Sequence, residues 1–363
     1  MARLDSFLRL VVEQRASDLH FHAGRTPVIR LDGDLIPLPF RRLSDLEARR
    51  FIFEILTPQQ RYALETEKDL DFLYDLEGVA RFRGNAFVQS HGVGAVFRII
   101  PLRIPSLEDL RLPASVRRLT ELANGLVLVT GPTGSGKTTT LAALVNEINA
   151  QSQRHVITIE DPIEFVHRPL RSLITQREVG RHAESFAGAL RSALREAPDV
   201  VVVGELRDLE TVSFALSAAE TGVLVFGTLH TNSAAKSIHR IIDMMPEERR
   251  DQTRAVVSVL LRGVVAQHLC RRMDGEGRIV ATEVLLQDYA VAHMIRDDKL
   301  HQLDALLQSM NPRTSGMQSL DRCLLDLVRS REVSTDEATR LANYPERFQH
   351  LAESLAREEE ESK

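Results

Sequence analysis

The sequence predicts an α/β chain in two parts: an antiparallel α+β part, then an open parallel sheet interleaved with helices. Three observations carry this. Residues 16–100 alternate apolar and polar side chains between Gly and Asp-Gly turns, the period-two pattern of half-buried strands. Pro101, Pro105 and Pro113 then punctuate IPLRIPSLEDLRLP, a stretch with the stiffness of an interdomain linker. Beyond it apolar runs alternate with helical patterns, and the first run, Leu126 to Val129, opens onto GPTGSGKTTT. At 363 residues the chain can bury two cores. The expected boundaries are 1–103 for the first part, 104–118 for the linker and 119–363 for the second, which turns helical from about 286.

In chain order, LDSFLRLVVEQR (residues 4–15) spaces its leucines and valines at helical intervals and predicts an opening amphipathic helix. ASDLHFHAG, TPVIRLDGDLIPL and DLDFLYDLEGVARFRGNAFVQSHGVGAVFRII predict antiparallel strands, with one helix over residues 44–65 set between them. His20 and His22 share a strand face at a spacing metals use, but no third ligand lies near, so a partly exposed pair is the expectation. Arg81 and Arg83 also share a strand face, and two guanidiniums side by side repel unless an anion sits between them. That admits either a solvated face or a phosphate clamp.

The phosphate loop is the sharpest signal. Gly131, Pro132, Thr133, Gly134, Ser135, Gly136, Lys137, Thr138 and Thr139 form a G-x-x-x-x-G-K-T turn between a strand and a helix. Its glycines let backbone N–H groups face phosphate oxygens, Lys137 reaches the outer phosphates, and the Thr138 hydroxyl takes a place on Mg²⁺. ATP and Mg²⁺ are the expected ligands. Three later strands end in polar groups: VITIE in Glu160 and Asp161 with Glu164 following, VVVVGE in Glu205, and VLVFGTLH in His230. Parallel sheets bind ligands at the carboxyl ends of their strands, so these groups share one rim. Glu205 is expected to orient or deprotonate the attacking water, and His230 to sense the γ-phosphate. Glu160, Asp161 and Glu164 are expected to hold Mg²⁺, partly through its waters.

Composition excludes other classes. The chain is 43% apolar and 27% charged with a net charge of −5. It has no apolar run long enough to span a bilayer and no signal-peptide core, which predicts a cytoplasmic protein. Cys270 and Cys323 lie far apart with no C-x-x-C, so no zinc site is expected. Aromatics make up 5%, too few for the stacking surface of a nucleic-acid motor, so no nucleic-acid partner is expected.

GPTGSGKTTT, ITIEDPIEF, PDVVVVGELRD and FGTLHTNSAAKSIHRIIDMMP resemble the Walker A, Asp, Walker B and His boxes of the type II/IV secretion ATPases. ASDLHFHAG…PVIRLDGDL and ARFRGNAF…GAVFRIIP resemble that family's PAS-like N-terminal domain, and the likeness covers nearly the whole chain. The resemblance implies a RecA-like P-loop ATPase domain behind a PAS-like α+β domain, with a helical C-terminal part. It also implies a homo-hexamer at the cytoplasmic face of the inner membrane, working with a platform protein of the pilus machinery. By the same resemblance Arg81 and Arg83 match arginines that approach the nucleotide, and Glu164 belongs to the catalytic set. SGMQSLDRCLLDL and DYAVAHMIRDDK resemble elements of the retraction-type members, which drive pilin out of the pilus and so power twitching motility. Assembly and secretion members carry a longer N-terminal extension and a four-cysteine zinc insertion, neither of which this sequence shows, which favours retraction over the alternatives of pilus assembly or type II secretion. A non-catalytic nucleotide-binding regulator is the second alternative, opposed by Lys137, Thr138 and Glu205. The chain departs from the family at Val223, where a first histidine is common, at Ala197 before Pro198-Asp199, and at Ala292, His293 and Asp297 of the C-terminal element.

Overall fold

The computed structural model describes residues 2–31, 33–100, 103–275 and 277–361, the side chains of 355–361 excepted. Pro101 of the proline-punctuated stretch lies outside the described residues. So do the side chains of the acidic end, whose backbone is helical to Glu361. The chain divides into two compact units, Met1–Arg103 and Ile104–Lys363.

The first unit holds an antiparallel sheet. Its strands are β1 (Asp18–His22), β2 (Val28–Leu31), β3 (Asp34–Pro37), β4 (Asp69–Leu76), β5 (Ala80–Gln89) and β6 (Gly92–Ile100), in the order β3-β2-β1-β6-β5-β4. Along β5, Ala80, Phe82 and Ala86 are buried on one face while Arg81, Arg83 and Asn85 point to the other. Helix Leu4–Glu13 lays Leu4, Leu8 and Val11 onto the core around Phe21, Phe82 and Phe97. Gly84 is required by a close approach, since a Cβ there would sit 2.5 Å from Cζ of Phe72. The single helix expected over 44–65 is two, Asp45–Ile55 and Pro58–Glu67. The chain breaks because Thr57 and Pro58 start a new helix: Thr57 forms a capping box with Gln60, as Ser44 does with Glu47, and Pro58 cannot continue the previous ladder.

Among the described residues the second unit is built on seven strands: β7 (Gly125–Thr130), β8 (His155–Glu160), β9 (Leu173–Glu178), β10 (Val200–Val203), β11 (Leu224–Leu229), β12 (Leu261–Arg271) and β13 (Arg278–Leu286). Their order is β13-β12-β7-β11-β10-β8-β9, all parallel except the β12–β13 pair. Val200 to Val203 are all buried, as a strand covered on both faces must be. One face packs against helices Phe186–Ala193, Leu209–Glu220 and Ala234–Asp243, the other against helix Lys137–Gln151. Residues 104–118 pack within this unit, with Leu107 and Val116 buried in its core.

β9, β12 and β13 were not anticipated, although Asp274 and Gly275 mark the turn between the last two. The β12–β13 hairpin carries the C-terminal helices Leu320–Arg329, Thr335–Leu341 and Pro345–Glu361 on Cys270, Ile279 and Ala281. Gln318 exchanges backbone hydrogen bonds with Val284, at 2.9 and 3.0 Å, and its side-chain amide donates to Thr282, so the GMQ segment lies along β13. Val223, one of the departures from the family's His box, is 8% exposed within the apolar core. His293 and Asp297 face each other one turn apart at 3.4 Å, so two of the C-terminal departures contact one another. Among the described residues no helix is long and apolar enough to cross a membrane.

Candidate active site

The loop after β7 is shaped by its glycines. Gly131 has φ 147°, and a Cβ there would lie 2.3 Å from the carbonyl oxygen of Gln267 on β12. Gly136 has φ 88° and opens helix Lys137–Gln151 with no side chain capping its first turn. Helices Phe186–Ala193, Leu209–Glu220 and Ala234–Asp243 in the same unit are each capped by Ser185, Asp208 or Ser233. The N–H groups at the start of the loop's helix therefore point where an anion fits.

Lys137 folds back over the loop, donating from Nζ to the carbonyl oxygens of Gly131 at 2.9 Å and Pro132 at 3.1 Å. Burial lowers its pKa, and the nearby Glu205 carboxylate opposes that. Gln267, 1% exposed, donates from Nε2 to the carbonyl oxygen of Ser135 at 2.6 Å and fixes the loop from β12. The Ser135 hydroxyl is buried and has no hydrogen-bond partner among the described residues.

The strand order sets β7, β11, β10 and β8 side by side, so the four strand ends chosen from the sequence are neighbours on one edge. Lys137 Nζ stands 3.5 Å from His230 Nδ1, and His230 Nε2 stands 3.2 Å from Glu205 Oε1. Arg207 Nε donates to Glu205 Oε2 at 2.6 Å, and its Nη1 lies 3.7 Å from Asp161. Lysine, histidine, glutamate, arginine and aspartate thus run in a line across the strand ends. The turn bearing Glu205 is held on both sides: Gly204 N–H donates to Ile159 on β8 at 2.8 Å, and Leu206 N–H to Thr228 on β11 at 3.0 Å. The Thr228 hydroxyl donates to the Gly204 carbonyl.

The carboxylates after β8 separate. Glu160 accepts from the Thr158 hydroxyl at 2.6 Å and from Gln176 Nε2 at 3.1 Å. Burial pushes its pKa up to about 7, with the charges of Glu164 and Glu178 adding to the rise and the two donors opposing it. Asp161 is exposed and turned to Arg207, while Glu164 is half-buried. Among the described residues no group of three His, Cys, Asp or Glu side chains could hold a metal ion. The donor set suits an ion that keeps much of its water shell, with the half-exposed Thr138 hydroxyl at the helix start.

Arg81 and Arg83 lie on β5 in the first unit. Arg81 donates from Nη2 to Asp75 Oδ2 across the strand pair at 2.9 Å, so a carboxylate supplies the anion beside it. His20 and His22 have their rings 5.9 Å apart, both Nε2 atoms are buried with no hydrogen-bond partner among the described residues, and burial lowers both pKa values. Sequence reasoning missed Arg207, Gln176 and Gln267. Arg207 had a signal, as it follows Glu205 at a strand end, and a lone Gln in the apolar run VVAQHL marked Gln267.

The family model described as "Type II/IV secretion system protein" matches residues 2–316. The chain is 45% identical over 345 residues to the type IV pilus retraction ATPase PilT of Pseudomonas aeruginosa, covering 95% of this chain and 99% of that one. It is 39% identical over 334 residues to the type IV pilus ATPase PilU of the same organism, covering 92% and 87%. A crystal structure of the pilus retraction motor PilT with bound ADP superposes with a TM-score of 0.86 at 42% identity, covering 96% of this chain and 98% of that one.

Proposed function

Since the chain belongs to the type II/IV secretion system protein family, we propose that it is an ATP-hydrolysing motor that drives type IV pilus retraction as a magnesium-dependent hexameric ring. The observation that carries the reading is the line of close polar contacts from Lys137 through His230 and Glu205 to Arg207, laid beside an uncapped helix start. ATP is the substrate. The backbone N–H groups from Gly131 to Thr139 cradle its phosphates, and Lys137 exchanges the carbonyls of Gly131 and Pro132 for phosphate oxygens.

Glu205 orients a water toward the γ-phosphorus and accepts its proton as the bond to the ADP oxygen breaks. His230, standing between Lys137 and Glu205, exchanges one of these neighbours for the γ-phosphate and so registers its presence. Thr138, Asp161 and Glu164 would hold magnesium, Glu160 bearing on it through water, and the ion when bound neutralises charge on the outer phosphates. Arg81 and Arg83 add positive charge to the triphosphate in the assembled ring, a role that rests on their match to the family's arginines. ATP hydrolysis then performs work on an inner-membrane platform protein of the pilus machinery, at the cytoplasmic face. The name borne by the 45% identical relative favours retraction over assembly.

Phosphate release with ATP and magnesium tests the reading. Glu205→Gln should bind ATP but hydrolyse it at least about a hundredfold more slowly, the scale of losing a general base. Hydrolysis at the wild-type rate would remove Glu205 from this role.

A further inference from the structure

Glu283, on β13, is a carboxylate 2% exposed that the hydrolytic line does not use. Its Oε1 accepts the backbone N–H of Ala234 at 2.7 Å, the first residue of helix Ala234–Asp243. Its Oε2 lies 3.3 Å from the donating Nδ2 of Asn343, and the backbone N–H of Leu320 bonds it as well. One side chain therefore joins the start of the helix after His230 to the start of helix Leu320–Arg329 and to the turn before the last helix. Ser233 and Ser319 already cap these two helices, so Glu283 is not needed as a cap and is instead a link between them. A carboxyl group, with two oxygens on one side chain, can meet several donors at once.

The segment it ends is short and held along its length. The Thr231 and Ser237 hydroxyls are 2.7 Å apart, Ser237 donates to Thr130 on β7 at 3.2 Å, and Asn232 O lies 3.5 Å from His268 Nε2 on β12. His230 heads this segment and meets Glu205 at 3.2 Å.

We propose that Glu283 is a positioning residue for hydrolysis: by gripping Ala234 it sets His230 against Glu205, and through Asn343 and Leu320 it ties that placement to the C-terminal helices. The proposal rests on the hydrolytic reading of His230 and Glu205. It assigns the C-terminal helices a direct mechanical connection to the catalytic edge.

Phosphate release and fluorescent-ATP titration on the full-length protein test it, with Glu283→Ala, Glu283→Gln, Asn343→Ala and His230→Ala. Glu283→Ala should lower kcat about tenfold or more, since small misplacements of a reacting group cost that much, while ATP affinity stays within about twofold because the phosphate loop is untouched. Glu283→Gln, whose amide oxygen still accepts from Ala234, should restore kcat to within about threefold. Asn343→Ala, which cuts only the C-terminal arm, should lower kcat by about threefold. Combined with His230→Ala, either Glu283→Ala or Asn343→Ala should add no further loss, as expected of groups acting through one another. A stoichiometrically ATP-binding Glu283→Ala with wild-type kcat, or losses that multiply with His230→Ala, would overturn the proposal. If Glu283→Ala does not fold, the Asn343→Ala and His230→Ala pair decides in the same way. Wild-type protein without ATPase activity would instead sink the hydrolytic reading itself.

Discussion

Replacing Glu283 by Gln should change how stability responds to pH, and the burial of this carboxylate sets the size of the change. Burial pushes its pKa up from an ordinary 4.5 to about 7, against the opposing bonds from Ala234, Leu320 and Asn343. Asp304 stands nearby and adds to the rise, while Asp321 shares the Asn343 turn, accepting from its backbone N–H at 2.8 Å. A folded pKa above the unfolded one means stability is fully present below about pH 4.5 and is lost as pH climbs through about 7. Between pH 5 and pH 8 that loss is roughly 2 to 3 kcal/mol, at about 1.4 kcal/mol per pK unit. For a unit of this size it corresponds to a fall of about 5 to 10 °C in Tm.

Glu283→Gln keeps the shape and the bond to Ala234 but removes the titration. Thermal melts of both proteins at pH 5, 6, 7 and 8 should therefore diverge, with the variant gaining on the wild type as pH rises. Glu160, also pushed up to about 7, and His167, lowered to about 4 by burial, are present in both proteins and cancel in the difference. Melting curves that stay parallel from pH 5 to pH 8 would show that Glu283 is not carried neutral into the core.

Lys137→Ala should abolish ATP turnover, because Lys137 is the cation folded over the loop; nucleotide titration should show affinity lost along with rate, and retained tight binding would contradict its place at the phosphates. Gln267→Ala should destabilise the protein by about 2 kcal/mol in denaturant titrations, since it orphans the buried Ser135 carbonyl, and should weaken ATP binding by loosening the loop. An unchanged midpoint with unchanged affinity would refute that. Arg81→Ala or Arg83→Ala should lower hydrolysis at least about tenfold with the fold intact, the scale of a charge supplied to the transition state. Wild-type turnover in both would leave only a strand-face ion pair with Asp75.

Much of the candidate site was legible because it is local in sequence. Gly131 to Thr139 are contiguous, and Glu205 and His230 follow apolar runs at strand ends, where a parallel sheet presents ligands. The helix read over residues 44–65 failed on a local rule, since Thr57-Pro58 was a start signal inside the run. Residues acting through distant partners left weaker traces. Arg207 lies two residues past Glu205, yet its reach to Asp161 depends on β10 lying beside β8.

By itself the sequence determined the two fold classes, the phosphate loop and the polar strand ends, because hydrophobic period and turn chemistry are written in neighbouring residues. Only the tertiary structure decided which strands adjoin. The order β12-β7-β11-β10-β8 sets Gln267 under the loop, His230 between Lys137 and Glu205, and Arg207 within reach of Asp161. It also decided that Glu283 meets Ala234 and Asn343, side chains and backbone brought together from three separate stretches. Strand order is settled by how the two apolar faces of the sheet are covered, a property of the whole unit that the pattern of a single strand does not contain.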